Sequence, residues 1–305
     1  MPWRGWNRMT LPVIIVTAVV LTLTALASPD GPTPTTATPP AVPTAAGHQG
    51  TTVAVVLPGK VPLVLVRVRA GTFTMGSPTT ERGRSDDETP HQVTLTRDYL
   101  IGKTEVTQAQ WEALMGSNPS YFASGGDAPV EQVSWDDING PDGFLAHLNG
   151  HLAATRQAGA GRMRLPSEAE WERAARGGTT TRFSYGDALG CDDVVCKPCP
   201  EHMRHMNWCG NNTSGGAAPV GRKPANPFGL HDVHGNVREW VQDWYAPYDS
   251  SAQKTDPTGP AGGVMRAIRG GRNDQPAWFC RSACRSLDPP ATRDGHTGLR
   301  VAASI

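Results

Sequence analysis

Residues 226–245 read NPFGLHDVHGNVREWVQDWY. Four aromatics, two glycines, two histidines and several acids share twenty positions with no clean period of 2 or 3.6, so neither a helix nor a half-buried strand accounts for the pattern. The expectation is a segment held by something other than regular secondary structure. Asp232 and Glu239 offer carboxylate oxygens, and Gly235 lets the backbone turn sharply enough for main-chain carbonyls to converge on one point. A hard cation such as calcium takes that mixture of oxygens. The alternative is a loop with solvated acids that sends Trp240 and Trp244 into the core.

Further landmarks lie on both sides of this stretch. They are Thr72-Phe-Thr-Met-Gly-Ser77, Lys103-Thr-Glu-Val-Thr-Gln-Ala-Gln-Trp111, Pro129-Val-Glu-Gln-Val-Ser-Trp135, Arg164-Leu-Pro-Ser-Glu-Ala-Glu-Trp-Glu172, Arg269-Gly-Gly271 and Gly298-Leu-Arg-Val301. With Phe228-Gly-Leu, Gly235-Asn-Val-x-Glu-Trp240 and Asp243-Trp, this ordered set resembles the sulfatase-modifying-factor family, the formylglycine-generating enzymes and their relatives. The resemblance runs from about Val61 to the C-terminus. It implies an α+β fold of the formylglycine-generating-enzyme type, similar to C-type lectins, turn-rich, with a mixed antiparallel sheet and few short helices.

The resemblance also assigns roles. Asp232 and Glu239 by side chain, with Gly235 and Val237 by carbonyl, correspond to one of the family's two calcium sites, and aspartate stands where relatives often have asparagine. Asn207 and the Trp208 carbonyl match the first two ligands of the second site, but the acidic segment expected next is replaced by Gly210-Asn-Asn-Thr-Ser-Gly-Gly216. The family's oxidases hold copper(I) with two cysteines, because soft thiolates select that metal, and convert a client cysteine to formylglycine. Counting from Gly270-Gly271, the second cysteine is Cys280, the first position is Gln275, and the serine after the glycines is Arg272. An amide is a poor copper(I) ligand. Cys284 could supply a sulfur only in a rearranged geometry; otherwise a disulfide uses one or both thiols.

Going back to the start, Arg4 and Arg8 precede an apolar run from Leu11 to Ala27 that ends in Ala25-Leu-Ala27. That is the layout of a secretory signal, residues 1–27, with an uncleaved anchor as the alternative. Residues 28–60 read as a linker, rich in Pro, Thr and Ala up to about Gly50, with almost nothing large and apolar to bury. Residues 61–305 are long enough for one domain with a sizeable core. The expected location is outside the cytoplasm, whether periplasmic, extracellular or membrane-tethered.

Lys+Arg and Asp+Glu both number 28, so no general attraction to nucleic acid or an anionic membrane is expected. No phosphate-binding glycine loop, nucleophile elbow or internal repeat is present. Strand-like alternation marks Pro62–Ala70, Gln92–Leu95 and Tyr99–Gly102. Helices are expected over Gln108–Met115, from Ser134 with a break at Gly140–Gly143 before Phe144–Leu152, and from the Ser167 capping box through Ala175 to Gly177-Gly178. Cys191, Cys196, Cys199 and Cys209, with His202 and His205 among them, approximate zinc spacing. Outside the cell disulfides are the commoner answer, and Cys191 or Cys199 is expected to join Cys209. His147 and His151 lie one helical turn apart and lack the carboxylate an iron triad needs.

The reading is a divergent relative of the formylglycine-generating enzymes without the two-cysteine copper site. Calcium is the expected cofactor and copper is not. A client polypeptide or a glycan is the expected partner. The alternative is an oxidase using Cys280 and Cys284.

Overall fold

The structure is a computed structural model that describes residues 51–305 apart from 212–214 and 250–252. The expected export signal lies outside the described residues. Chain order begins with β1 (Thr52–Val56), β2 (Pro62–Val68), β3 (Gly71–Met75), β4 (His91–Leu95) and β5 (Tyr99–Gly102). β1 pairs antiparallel with β2 across a short 3-10 turn at Pro58–Lys60, so the folded chain begins inside the stretch expected to be linker. Its alternating Val/Ala sequence was hidden behind the Pro/Thr-rich composition that precedes it.

Helices α1 (Gln108–Met115), α2 (Trp135–Asn139) and α3 (Phe144–Ala154) follow. Thr107 and Ser134 each close a capping box, satisfying N–H groups that the first helical turn leaves unpaired, and Gly116 ends α1 in the left-handed region. After β6 (Met163–Arg164), Ser167 caps α4 (Glu168–Arg176) the same way, and Gly177 stops it with φ +60°. The remaining elements are α5 (Pro200–His205), β7 (Arg238–Trp244), β8 (Lys254–Thr255), β9 (Arg266–Arg269), β10 (Arg285–Asp288), β11 (Thr297–Leu299) and β12 (Ala302–Ser304).

Three sheets result. One has the order β1-β2-β5-β12-β6 and is antiparallel throughout; a second has the order β10-β9-β7-β11, with β11 parallel to β7; the third is β3-β4-β8, with β8 parallel to β4. Mixed sheets with few short helices are the architecture the sequence implied.

The second half of the 226–245 stretch corrects one expectation, because it is the regular strand β7. Its Trp240 packs into a core with Leu63, Leu65, Leu100, Trp111 and Phe144, while the adjacent Val241 packs into another with Val66, Tyr99, Trp171 and Ala174. A strand buried on both faces shows no apolar/polar alternation, and the pairing with β9 shifts register between Trp240 and Trp244.

Charge is buried as well as apolar surface. Arg285 grips Glu168 with two nitrogens at 2.7 and 2.9 Å, and Arg269 reaches Glu168 at 2.8 Å and Glu172 at 2.5 Å. Burial opposes ionisation of Glu168, but Arg285 and Arg269 outweigh it and bring its pKa down to about 2. Arg281, fully buried, forms a parallel clamp on Glu88 and also pairs with Glu81. The arginines of the Arg269-Gly-Gly and Cys280-Arg segments therefore tie the second sheet's loops to α4 and to the β3–β4 connection.

Candidate functional site

At the turn, Asp232 has φ +60° and Gly235 φ +93°. Residues tolerant of the left-handed region, glycine above all and then asparagine or aspartate, suit these positions. A Cβ at Gly235 would lie 2.0 Å from the Asn207 carbonyl oxygen, so the close approach of the two backbones requires glycine. Asn236 N–H donates to that same carbonyl at 2.9 Å, which joins the two expected calcium-binding segments.

The four expected ligands of the first site do not stand equal. Glu239, at the second position of β7, accepts from Arg300 Nε at 3.1 and 3.0 Å, from Arg300 Nη2 at 2.8 Å and from Trp171 Nε1 at 2.6 Å. Both its oxygens face a buried cation already present. Asp232 Oδ2 accepts from Gly221 N–H at 2.6 Å, while Oδ1 is buried with no partner. A third carboxylate, Glu105, reaches the same turn from the loop before α1. It accepts from Val237 N–H at 3.2 Å and from Asn236 Nδ2 at 3.0 Å, and it is fully buried. Burial, then the charges of Asp232 and Glu239, push the Glu105 pKa well up; burial raises Asp232 too.

Among the described residues no three His, Cys, Asp or Glu side chains form a metal cage. Calcium also uses main-chain carbonyls, however, and two carboxylates with the Gly235 and Val237 carbonyls suit it. The unpartnered Asp232 oxygen and the carboxyl groups buried at this turn fit a hard cation here. Glu239 fits poorly as its ligand.

The second expected site is less complete. Asn207 Nδ2 is buried without a partner, and the Trp208 carbonyl accepts from Asn211 N–H at 3.0 Å inside a tight turn. The segment that would complete the site includes residues outside the described set.

At the position of the copper pair, Gln275 is half-buried with its Oε1 unpartnered, and its carbonyl accepts from Cys209 N–H. Cys280 is fully buried among Phe183, Met206 and Trp208. Burial pushes its thiol far above the usual range and moves Cys284 to about 12. Neither is a ready thiolate. Gly271, with φ +70°, packs so closely that a Cβ there would lie 2.7 Å from Cys280 Sγ. Arg272, in the serine position, pairs with Asp274 at 2.8 Å and Asp294 at 3.3 Å. An amide, two protonated buried thiols and an ion-paired arginine do not fit copper(I).

Cys280 and Cys284 are free, which corrects the expected disulfide. The disulfides are Cys191–Cys199 and Cys196–Cys209, so Cys209 joins Cys196 rather than Cys191 or Cys199. Connectivity depends on three-dimensional approach, which spacing does not encode. These bonds also occupy the sulfurs of the zinc pattern. His202 bridges Tyr185 Oη at 2.9 Å and Asp193 at 2.8 Å, and His205 stacks on Tyr185. His151 meets the Val56 carbonyl at 2.9 Å, while His147 is exposed.

Sequence reasoning missed His234. Ser184 N–H donates to its Nε2 at 3.0 Å, so Nδ1 carries the proton and donates to the Cys280 carbonyl at 2.8 Å. Burial lowers its pKa to about 4, which makes it a neutral strut rather than a base at neutral pH. It also missed Glu105 and Arg300, although both lie in quoted motifs, Lys103-Thr-Glu and Gly298-Leu-Arg.

Residues 60–305 match the sulfatase-modifying factor enzyme 1-like domain. The chain is 32% identical over 247 residues to the chaperone protein LppX of Paenibacillus barcinonensis, covering 70% of this chain and 83% of that protein. It is 31% identical over 278 residues to the formylglycine-generating enzyme of Streptomyces coelicolor, covering 78% and 88%. Among solved structures, Treponema denticola variable protein 1 superposes with a TM-score of 0.70 at 28% identity, covering 83% of this chain and 99% of that one. PvdO from Pseudomonas aeruginosa gives 0.66 at 27%, covering 79% and 94%. With its ordered motifs, its mixed sheets and a match spanning most of its length, the chain belongs to the sulfatase-modifying-factor family.

Proposed function

We propose that this chain is an exported, calcium-stabilised accessory module that binds a polypeptide rather than an oxidase that modifies one. The observation that carries the reading is the copper position itself, where Gln275 replaces a thiol and Cys280 is sealed under Gly271. A catalytic thiolate must be accessible and deprotonated, and neither condition holds. The similarity to a protein named as a chaperone adds support.

A polypeptide is favoured over a glycan by Leu189, Val194, Val195 and Met203. All four are exposed apolar side chains; Val194, Val195 and Met203 lie within the segment closed by the two disulfides, and Leu189 lies two residues before it. Cross-linking holds that surface in place, and exposed apolar side chains grouped together mark protein contacts. Calcium, held by Asp232 with the turn carbonyls, would contribute stability by neutralising buried carboxylates.

Two measurements test the reading. The purified chain loaded with copper(I) should leave a cysteine-containing sulfatase-type peptide unoxidised, and aldehyde formation that depends on Cys280 would establish the oxidase instead. A permanently unfolded, carboxymethylated polypeptide should bind, with affinity reduced about tenfold by Leu189→Ser with Val194→Ser, on the order of 1.4 kcal/mol. Equal binding by the variant, or binding of oligosaccharides alone, would refute the polypeptide surface.

A further inference from the structure

We propose that the cavity between α4 and the chain that follows β7 binds an uncharged carboxamide, whose carbonyl oxygen accepts a hydrogen bond from the Asp243 carboxyl. The cavity has a volume of about 330 Å³, at the small end of the about 300–1,000 Å³ typical of ligand sites. It uses no residue of the calcium turn or of the copper position. Met75, Ala169, Pro247, Pro257 and Pro260 give it apolar walls.

The charged groups on those walls are already paired. Glu168 is taken up by Arg285, Arg269 and Tyr248 Oη, and Lys254 pairs with Asp249. Asp243 stands apart. It is 4% exposed, its Oδ2 accepts from the Glu168 N–H at 2.9 Å, and its Oδ1 has no partner among the described residues. Oδ1 lies on the side of Gly259, another wall residue, where a Cβ would come within 3.2 Å of it. Gly259 has φ +72°, and the side chain it lacks leaves that oxygen uncovered.

Burial first, then the charge of Glu168, keeps this carboxyl protonated up to about pH 8. Glu170 on α4 acts in the same direction, while Arg285 on β10 and Arg266 on β9 oppose it. His91, Tyr248 and the Lys254–Asp249 pair are the other titratable groups of the wall. Because Oδ2 accepts from a backbone N–H, the proton sits on Oδ1, and the wall presents an O–H donor to the cavity.

These groups give the class of ligand. A carboxyl kept neutral donates to a carbonyl, whereas an anion would meet Glu168 and a cation would require Asp243 to ionise where burial opposes it. His91 sets a second requirement. Its Nδ1 donates to the Thr89 carbonyl at 3.0 Å, which leaves Nε2 as an acceptor on the same cavity. A carbonyl to accept and an N–H to donate, carried on an apolar body, make a carboxamide.

Benzamide, benzoate and benzamidine share one shape and carry no charge, a negative charge and a positive charge, so titrating each against the full chain by saturation-transfer NMR tests the proposal. Probes this small bind a matching pocket at about 1 mM. At about pH 6 benzamide should bind at least tenfold more tightly than either charged probe, and by about pH 9, where about a tenth of Asp243 stays protonated, its affinity should fall about tenfold. Asp243→Asn puts an N–H where the O–H stood and should hold the wild-type affinity at both pH values. If Asp243 serves only to accept from the α4 backbone, benzamide binding will be as flat with pH in wild type as in the variant, which overturns the proposal. Benzamidine binding more tightly than benzamide, with affinity rising toward alkaline pH, would make this a cation site and overturn it equally. Failure of benzamide to bind at about 10 mM does the same. If Asp243→Asn does not fold, the ranking of the three probes and the wild-type pH profile decide by themselves.

Discussion

Acidification should loosen the buried clamp on Glu168 progressively as pH falls below the ordinary carboxylate range. This side chain sits at the first position of α4, 4% exposed, and accepts from Arg269, Arg285 and Tyr248. Its pKa of about 2 compares with 4.5 for the ordinary side chain. A folded-state value below the unfolded one means that the contribution is present above the unfolded pKa and is lost as pH falls toward 2. The difference corresponds to about 3 kcal/mol at pH 7 and about 1 kcal/mol at pH 3. Urea unfolding of wild type and Glu168→Gln at pH 7, 5 and 3 measures it. The gap between the two proteins should be nearly constant from pH 7 to 5 and shrink by about 2 kcal/mol at pH 3. A gap that is the same at pH 3 and pH 7 would show that Glu168 contributes through packing alone and refute the ion-clamp argument.

Other perturbations address separate parts of the molecule. Asp243, raised to about 8 by burial and by Glu168, has the opposite sign: its contribution is full below the unfolded pKa and is lost as pH rises to 8, so Asp243→Asn should flatten the decline in melting temperature between about pH 4 and 8. Gly271→Ala should cost about 2 kcal/mol or more, because φ is +70° and the added Cβ would meet backbone atoms of Phe279 and Cys280 at 2.8 Å, as urea unfolding will show. Iodoacetamide at pH 8 should leave Cys280 and Cys284 unmodified in the native protein and alkylate both after denaturation without reduction, with peptide mapping finding Cys191–Cys199 and Cys196–Cys209 intact. Rapid native alkylation of either thiol would show that the site is open.

Local rules were legible in the sequence wherever a few neighbouring residues settle the outcome. Thr107, Ser134 and Ser167 announce helix starts because each side chain caps its own helix, and Gly116 and Gly177 announce stops because the left-handed region favours glycine. That glutamine rather than cysteine stands at 275, the position the resemblance assigns to the first thiol, was equally legible, since it is a matter of residue type. Tertiary structure alone decided the rest. β7 carries no strand pattern because layers on both sides bury it, and only those layers make it a strand. Which cysteines pair depends on which loops meet. That Arg300, 61 residues away, pairs with Glu239, and that Glu105, 132 residues from Val237, accepts from the turn, only the folded chain reveals. Charge pairing in a buried site is fixed by what else is buried there, and that information is spread along the whole chain.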